Sequence, residues 1–430
     1  MQMKTLLKSP RHRLRALVVL ALVGGIVATG VVAGTASGSG RDKVTLRVGL
    51  FGDFGYHDLY KKYEATHPNI DIKEDIQSYP DHHANLAKNL AVGSGADDIE
   101  AIEVGFIGQF KSQPNLFVNF NKYGAKKIQK QWLKWKWAQS LAGSSQIGLG
   151  TDVGSLAICY RRDLFKKAGL PSNRAAVSKL WPTWQKYMAV GKRFQKHAPK
   201  GVSFFDAGSN VFNAMIGQLN PAYYTGKGKV IVGSNPKVKN AWALTMQGIK
   251  AHESAGLAAF SNDWNTGYKN GTFATVTCPA WMMGYIQGQA PATAGKWDIA
   301  AVPGGGGNWG GSFLSVPKQS SHQAEAVALA KFLTSPASEK YIFKQTGNLP
   351  SQPNLLKSPA VKGFKNPFFN NAPVGNIFAN SAMKLKPQIL GPHQGDIQTA
   401  ATNAIQRVEQ HKQSPAQSWK QFLKDVKATT

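Results

Sequence analysis

Eight loop side chains in this sequence are of the kinds that hold hydroxyl groups or flat saturated rings. Asp53 and Tyr56 follow the first strand-like run, Glu103 follows the third, and Asp152 lies in the turn GTDVG. Asp206 comes after a later strand, Trp281 after Cys278–Pro279, and Asn308 and Trp309 sit inside the glycine-rich run GGGGNWGG. Carboxylates and amides offer acceptors and donors to hydroxyls, and indole faces pack against a sugar ring, so the set suits the binding of a polar, hydroxyl-rich solute. Open α/β sheets take ligands at the carboxyl ends of their strands, where most of these residues fall.

Bond-breaking chemistry finds less support. Glycoside hydrolysis needs two carboxyl groups facing each other across the scissile bond; Asp97, Asp98, Glu100 and Glu103 cluster at a strand edge, but their spacing sets no two of them opposite. The patterns HExxH, CxxC, GxSxG and the Walker loop are absent. Gly305, Gly307 and Gly310 satisfy GxGxxG, yet no helix opens at the third glycine, so the dinucleotide reading fails. The expectation is therefore no catalytic residue, no metal and no cofactor, with a secreted carbohydrate-active enzyme as the alternative. His82 and His83 are adjacent, point apart on any regular element and read as a surface pair.

Positioning such loops takes an α/β frame. Val44–Phe51 and Ile70–Ile76 alternate apolar and polar residues, Leu59–Tyr63 and 81–90 carry helical spacing, and DDIEAIEV is a third strand. Strand, helix, strand, helix, strand predicts an α/β lobe with mostly parallel pairing. The alternation restarts after GLGTDVG with Leu156–Tyr160, and 430 residues exceed what one core supports, so two lobes are expected.

The first 36 residues read as a signal peptide or retained N-terminal anchor: Lys4, Lys8, Arg11, Arg13 and Arg15 precede an apolar run from Ala16. The chain carries 51 Lys+Arg against 23 Asp+Glu, a net charge of +28, which favours anionic surroundings such as cell wall or membrane surface. Export makes nucleic acid the poorest candidate. The densest basic stretch, Lys122 to Lys136, interleaves Trp132, Trp135 and Trp137; on a helix Trp132 and Trp135 would share a face, with tryptophans inward and lysines outward. Cys159 and Cys278 are the only cysteines, so one disulfide is expected in an exported chain and the leader has no lipobox cysteine.

The blocks GTDVGSLAICYRRDLFKKAGLP, YKNGTFATVTCPAWMMG, WDIAAVPGGGGNWGGSFLSVPKQSSHQAEAVALAKFLTSP and GNLPS, in that order, resemble the extracellular solute-binding proteins of ABC sugar importers, in the family of the maltose-binding proteins and nearest its actinobacterial oligosaccharide-binding branch. The resemblance implies a two-lobe clamp of the periplasmic-binding-protein kind, with lobe one at 44–150 plus 304–345 and lobe two at 155–299 plus 350–430. It places hinges near Gly150–Gly154, Ala300–Pro303 and Thr346–Pro350, and both cysteines in strands of one lobe. Trp281 matches a position that stacks on sugar, the NWGG loop brings Asn308 and Trp309 to the cleft, and GPHQGDIQ nominates His393 and Gln394. The implied protein is a monomer, exported and associated with the cell surface, which binds an oligosaccharide and delivers it to the membrane subunits of an ABC permease. Another polar solute, an acidic sugar or a peptide, is the alternative ligand.

Overall fold

Strand Val44–Leu50 buries Leu46, Val48 and Leu50 and turns Thr45 and Arg47 outward, the period of two that its sequence displays. In the computed structural model, which describes residues 43–430, this strand pairs in parallel with Ile70–Ile76 and with Ile99–Glu103. Helices His57–Thr66 and Tyr79–Val92 make the connections. Ser312–Ser315 then pairs with Ile99–Glu103, and Leu149–Gly150 closes that edge, both antiparallel. The three strands expected to pair in parallel do so, and the two antiparallel strands beside them lie outside that expectation: they fall where the chain leaves the first sheet and returns to it through the second lobe, so no strand–helix–strand crossover joins Ser312–Ser315 to its neighbours. Helices and turns cover both faces, with Leu314 on one side beside Leu46 and Val48, and Phe313 on the other beside Ile102 and Phe110.

The second sheet runs in the order Trp297–Ala300, Leu156–Arg161, Phe273–Pro279, Ser203–Phe205. Its central strands are buried along their whole length, as strands covered on both faces must be. Leu156, Ile158 and Tyr160 face one apolar cluster; Ala157 and Cys159 face the other. Cys159 lies opposite Val276 and Cys278 opposite Ala157, one diagonal step apart, with Cα atoms separated by 5.4 Å. The expected disulfide is formed.

The chain passes between the sheets three times, through 151–155, 301–311 and 346–352. These passages are tied together: Asp152–Val153 pairs antiparallel with Leu349–Pro350, and the Thr151 N–H donates to the Ser312 carbonyl at 2.9 Å. Helix Gln394–Glu409 packs on Gly208–Ile216 of the second lobe and on Val104–Lys111 of the first.

The basic stretch folds otherwise than a single amphipathic helix. Residues 120–131 turn as short 3₁₀ segments, and only Lys134–Gln139 is α-helical. Trp132 and Trp137 are the inward pair, 5.5 Å apart, and the Trp132 indole N–H donates to the Gly150 carbonyl at 2.8 Å; Trp135 is half-buried. Lys136 breaks the outward rule, being 1% exposed. The leader at 1–36 lies outside the described residues. Among those described, no helix is long and apolar enough to cross a membrane.

Candidate functional site

A run of aromatic side chains links the two lobes. Phe51 meets Tyr79 edge-on at 5.6 Å, Tyr79 lies nearly parallel to Phe260 at 6.5 Å, Phe260 nearly parallel to Trp281 at 6.2 Å, and Trp281 meets Trp309 edge-on at 5.7 Å. The first two belong to first-lobe segments at the ends of Val44–Leu50 and Ile70–Ile76. Trp281 follows the second-lobe strand Phe273–Pro279, and Trp309 lies in the glycine-rich passage. Strand ends place these rings because loops leaving parallel or mixed sheets gather there.

Trp281 and Trp309 are locked together: the Trp281 indole N–H donates to the Trp309 carbonyl at 3.0 Å, and the Trp309 N–H donates to the Gly154 carbonyl at 2.8 Å. Gly310 has φ of +85° and a Cβ there would stand 2.7 Å from the Trp281 indole nitrogen, so glycine is required on both grounds. The neighbouring Asn308 is 9% exposed; its Nδ2 donates to the Gly310 carbonyl at 2.9 Å, and its Oδ1 has no protein partner.

Glu103 ends its strand against the first-lobe wall. It caps helix Val104–Lys111 by accepting the Gly105 N–H at 2.6 Å, and the Tyr79 hydroxyl donates to it at 3.2 Å. Burial pushes its carboxyl up to about 7, partly opposed by those two bonds and by the charge of Lys136. Behind it, the expected surface histidine pair is in fact buried, each residue 2% exposed. His82 bonds the Ala101 carbonyl through Nε2 at 2.7 Å, while His83 accepts the Glu103 N–H on Nε2 and pairs Nδ1 with the Tyr79 carbonyl. Burial lowers His83 to about 3, so it is neutral, and it stacks on Phe106 at 4.0 Å.

The remaining nominated residues are dispersed. Asp53 is exposed and accepts the N–H of Gly55. Tyr56, 1% exposed, packs against Phe54 and Tyr60 in the first-lobe core, which corrects its assignment to the ligand rim: the ring is used for packing. Asp152 accepts the Ser312 N–H at 2.9 Å and the Thr151 hydroxyl at 2.7 Å, joining two passages. Asp206 is fully buried behind the aromatic wall; Asn210 and the Trp264 indole donate to its Oδ2 at 2.6 and 2.8 Å, its Oδ1 has no partner, and burial pushes the carboxyl up to about 6. His393 pairs with Asp396 at 3.2 Å near the surface. Gln394, 4% exposed, opens the helix that bridges the lobes and leaves its Oε1 unpartnered.

Sequence reading misses Tyr79, Phe106 and Phe260. Tyr79 carries a signal: it follows the Ser78 cap at the start of a helix entered from a strand end. Phe260 carries a weaker one, an apolar aromatic directly before the Ser261 cap in a polar loop.

Two lobes, three tied passages and an aromatic run between them define a two-lobed solute-binding protein. Residues 58–369 match the family described as bacterial extracellular solute-binding protein, and the chain belongs to it. It is 28% identical over 327 residues, 73% of each chain, to an arabinooligosaccharide-binding protein of Bacillus subtilis (strain 168). A crystal structure of an extracellular solute-binding protein family 1 member, 42% identical, superposes with a TM-score of 0.79 over 90% of this chain and 99% of that one. The same fold recurs, at 19% identity and a TM-score of 0.77 over 89% and 96% of the two chains, in the ABC transporter associated binding protein of B. animalis subsp. lactis Bl-04 in complex with beta-1,6-galactobiose.

Proposed function

We propose that this chain binds an oligosaccharide between its lobes and presents the closed form to the membrane subunits of an ABC importer, breaking no bond. The carrying observation is the aromatic run from Tyr79 to Trp309, flanked by the unpartnered acceptors of Asn308 and Gln394. Rings supply apolar faces to a sugar, and buried acceptors call for donors that hydroxyls provide. Trp281, Trp309, Asn308, Glu103 and Gln394 are the proposed contacts; Asp152 and Asp206 hold the passages and the wall behind them. The lobes are 44–150 plus 304–345 and 155–299 plus 350–430, hinged where the passages are tied. Ligand touching both lobes favours the closed state by contacts that only that state makes. The arabinooligosaccharide-binding relative makes pentose oligosaccharides the first ligands to try.

A thermal-shift screen over arabino-oligosaccharides and β-1,6-galactobiose, with the sugar recovered and analysed, tests this. A raised midpoint with intact sugar is expected; cleaved sugar would establish the enzyme instead. Trp281→Ala should weaken the best ligand by about 2 kcal/mol, roughly thirtyfold, as truncation of a stacked anchor does. Unaltered affinity by calorimetry would remove Trp281 from the site.

The protein acts as a monomer held at the cell surface by charge as well as by its leader. Lys122, Lys126, Lys127, Lys130 and Lys134 are all exposed, and no ion pair among the described residues involves them. Opposite charge on wall polyanions would hold such a face at low salt and release it as the Debye length shrinks to about 3 Å near 1 M. Purified cell wall should retain the leaderless protein at low salt only, and Lys126→Glu/Lys127→Glu/Lys130→Glu should elute earlier. Co-elution of the variant with the parent would discount this face.

A further inference from the structure

Phe260 is the one aromatic of the run that reaches across from a loop. It sits between helix Pro236–Lys250 and helix Asn262–Asn270, in the second lobe, yet its ring lies nearly parallel to Tyr79 of the first lobe at 6.5 Å and 24°. On its own side it meets Trp281 at 6.2 Å and 21°, Trp264 at 5.3 Å and Tyr285 at 5.5 Å. It is 45% exposed and has φ of +67°, a left-handed backbone that a bulky L-residue adopts only where its surroundings over-determine it. The ring is held on one side by second-lobe rings and meets the first lobe on the other, while nearly half of the residue's surface stays open. In that conformation the ring touches both lobes.

We propose that Phe260 is an interlobe latch: its ring bridges Tyr79 and Trp281, favours the closed arrangement before any sugar arrives, and forms the outer wall of the slot in which the sugar is then held. Tyr79 is itself anchored, because its hydroxyl donates to the buried Glu103 and its ring is flanked by Phe51, His83 and Phe106. The latch thus closes onto a fixed plate, and the Glu103 carboxylate lies at the end of that plate. An aromatic contact made only between closed lobes shifts the open–closed balance by its own worth, about two- to tenfold. The inference rests on the hinge-closing reading above.

The test separates the two. Spin labels at the exposed positions Lys88→Cys in the first lobe and Lys269→Cys in the second report the interlobe distance of the oxidised, sugar-free protein. Phe260→Ala and Phe260→Gly should both move the distribution to longer distances, and Phe260→Trp should keep it. The glycine variant relieves the left-handed backbone while removing the ring, so agreement between it and alanine assigns the effect to the ring. Distances equal to the parent in both variants would overturn the latch, whether or not any sugar binds. A parent protein that binds none of the screened sugars would count against the oligosaccharide reading and leave the distance result to decide the latch. With a bound arabino-oligosaccharide as probe, Phe260→Ala should release it about two- to tenfold faster.

Discussion

Replacing Cys159 and Cys278 together by alanine is expected to lower the stability of the folded protein by about 5 kcal/mol, the chain-entropy value for a long closed loop. The two residues are 119 apart in sequence, so the bridge removes from the unfolded chain most of the freedom of the second lobe's middle section. In the folded state the bridge adds little new order, because strands Leu156–Arg161 and Phe273–Pro279 are already hydrogen-bonded from Leu156↔Pro279 to Tyr160↔Thr275. Both cysteines are fully buried, so reductant acts only when those strands part. Urea unfolding of the oxidised parent, the parent unfolded and refolded in reductant, and the double alanine variant should give one high and two matching low stabilities. A reduced parent as stable as the oxidised one would show that the sheet alone holds this lobe.

How much of this is legible in the sequence follows from what periodicity reports. Alternation shows which face of an element is buried, and so Val44–Leu50, Ile70–Ile76 and Ile99–Glu103 stand out as strands from their residue pattern alone. It does not show which way a returning strand runs, and the antiparallel pairing of Ser312–Ser315 is therefore hidden from it. Composition misleads where burial is local: Lys136 sits in a run of lysines that are otherwise exposed, and His82 and His83 are buried because backbone carbonyls and an N–H at the end of a neighbouring strand satisfy them. Among the proposed contacts, Asn308 and Trp309 are nominated by a loop of glycines and an aromatic, which has few uses besides close approach, and Trp281 by its place after a strand and by the family resemblance. Phe260 is not, because its partners Tyr79 and Trp281 come from segments roughly 180 residues before and 20 after, a juxtaposition that only the tied passages create.

Lys136→Met is expected to make the protein more stable near neutral pH, by about 3 kcal/mol, while weakening sugar binding. The ammonium lies 3.9 Å from the centroid of the Phe313 ring, under the passages between the lobes, and a Cβ at Gly150 would stand 2.8 Å from its Cγ. Asp152, Glu103 and Glu339 attract it, but burial dominates and brings the amine down to about 8 from its ordinary 10.5. A depressed amine means that the site disfavours the cation even with three carboxyls nearby, so deleting the charge removes a net cost; breaking a well-matched contact pair would have the opposite sign. The pH dependence carries the same sign. Between pH 8 and 10.5 the folded protein has lost the proton that the unfolded chain still binds, so this residue makes the parent's stability rise with pH there. The variant lacks that rise, and its advantage should fade toward pH 10.5. The binding loss comes from Glu103: burial raises its carboxyl to about 7, so near neutral pH only part of it is ionised, and without the opposing Lys136 charge that ionised part shrinks and with it the acceptor a hydroxyl needs. Stability curves at pH 7 and 10 together with calorimetry at pH 7 decide the matter. A destabilised variant at pH 7 would show that the carboxyls repay the buried cation in full, and unchanged affinity would separate Glu103 from the ligand.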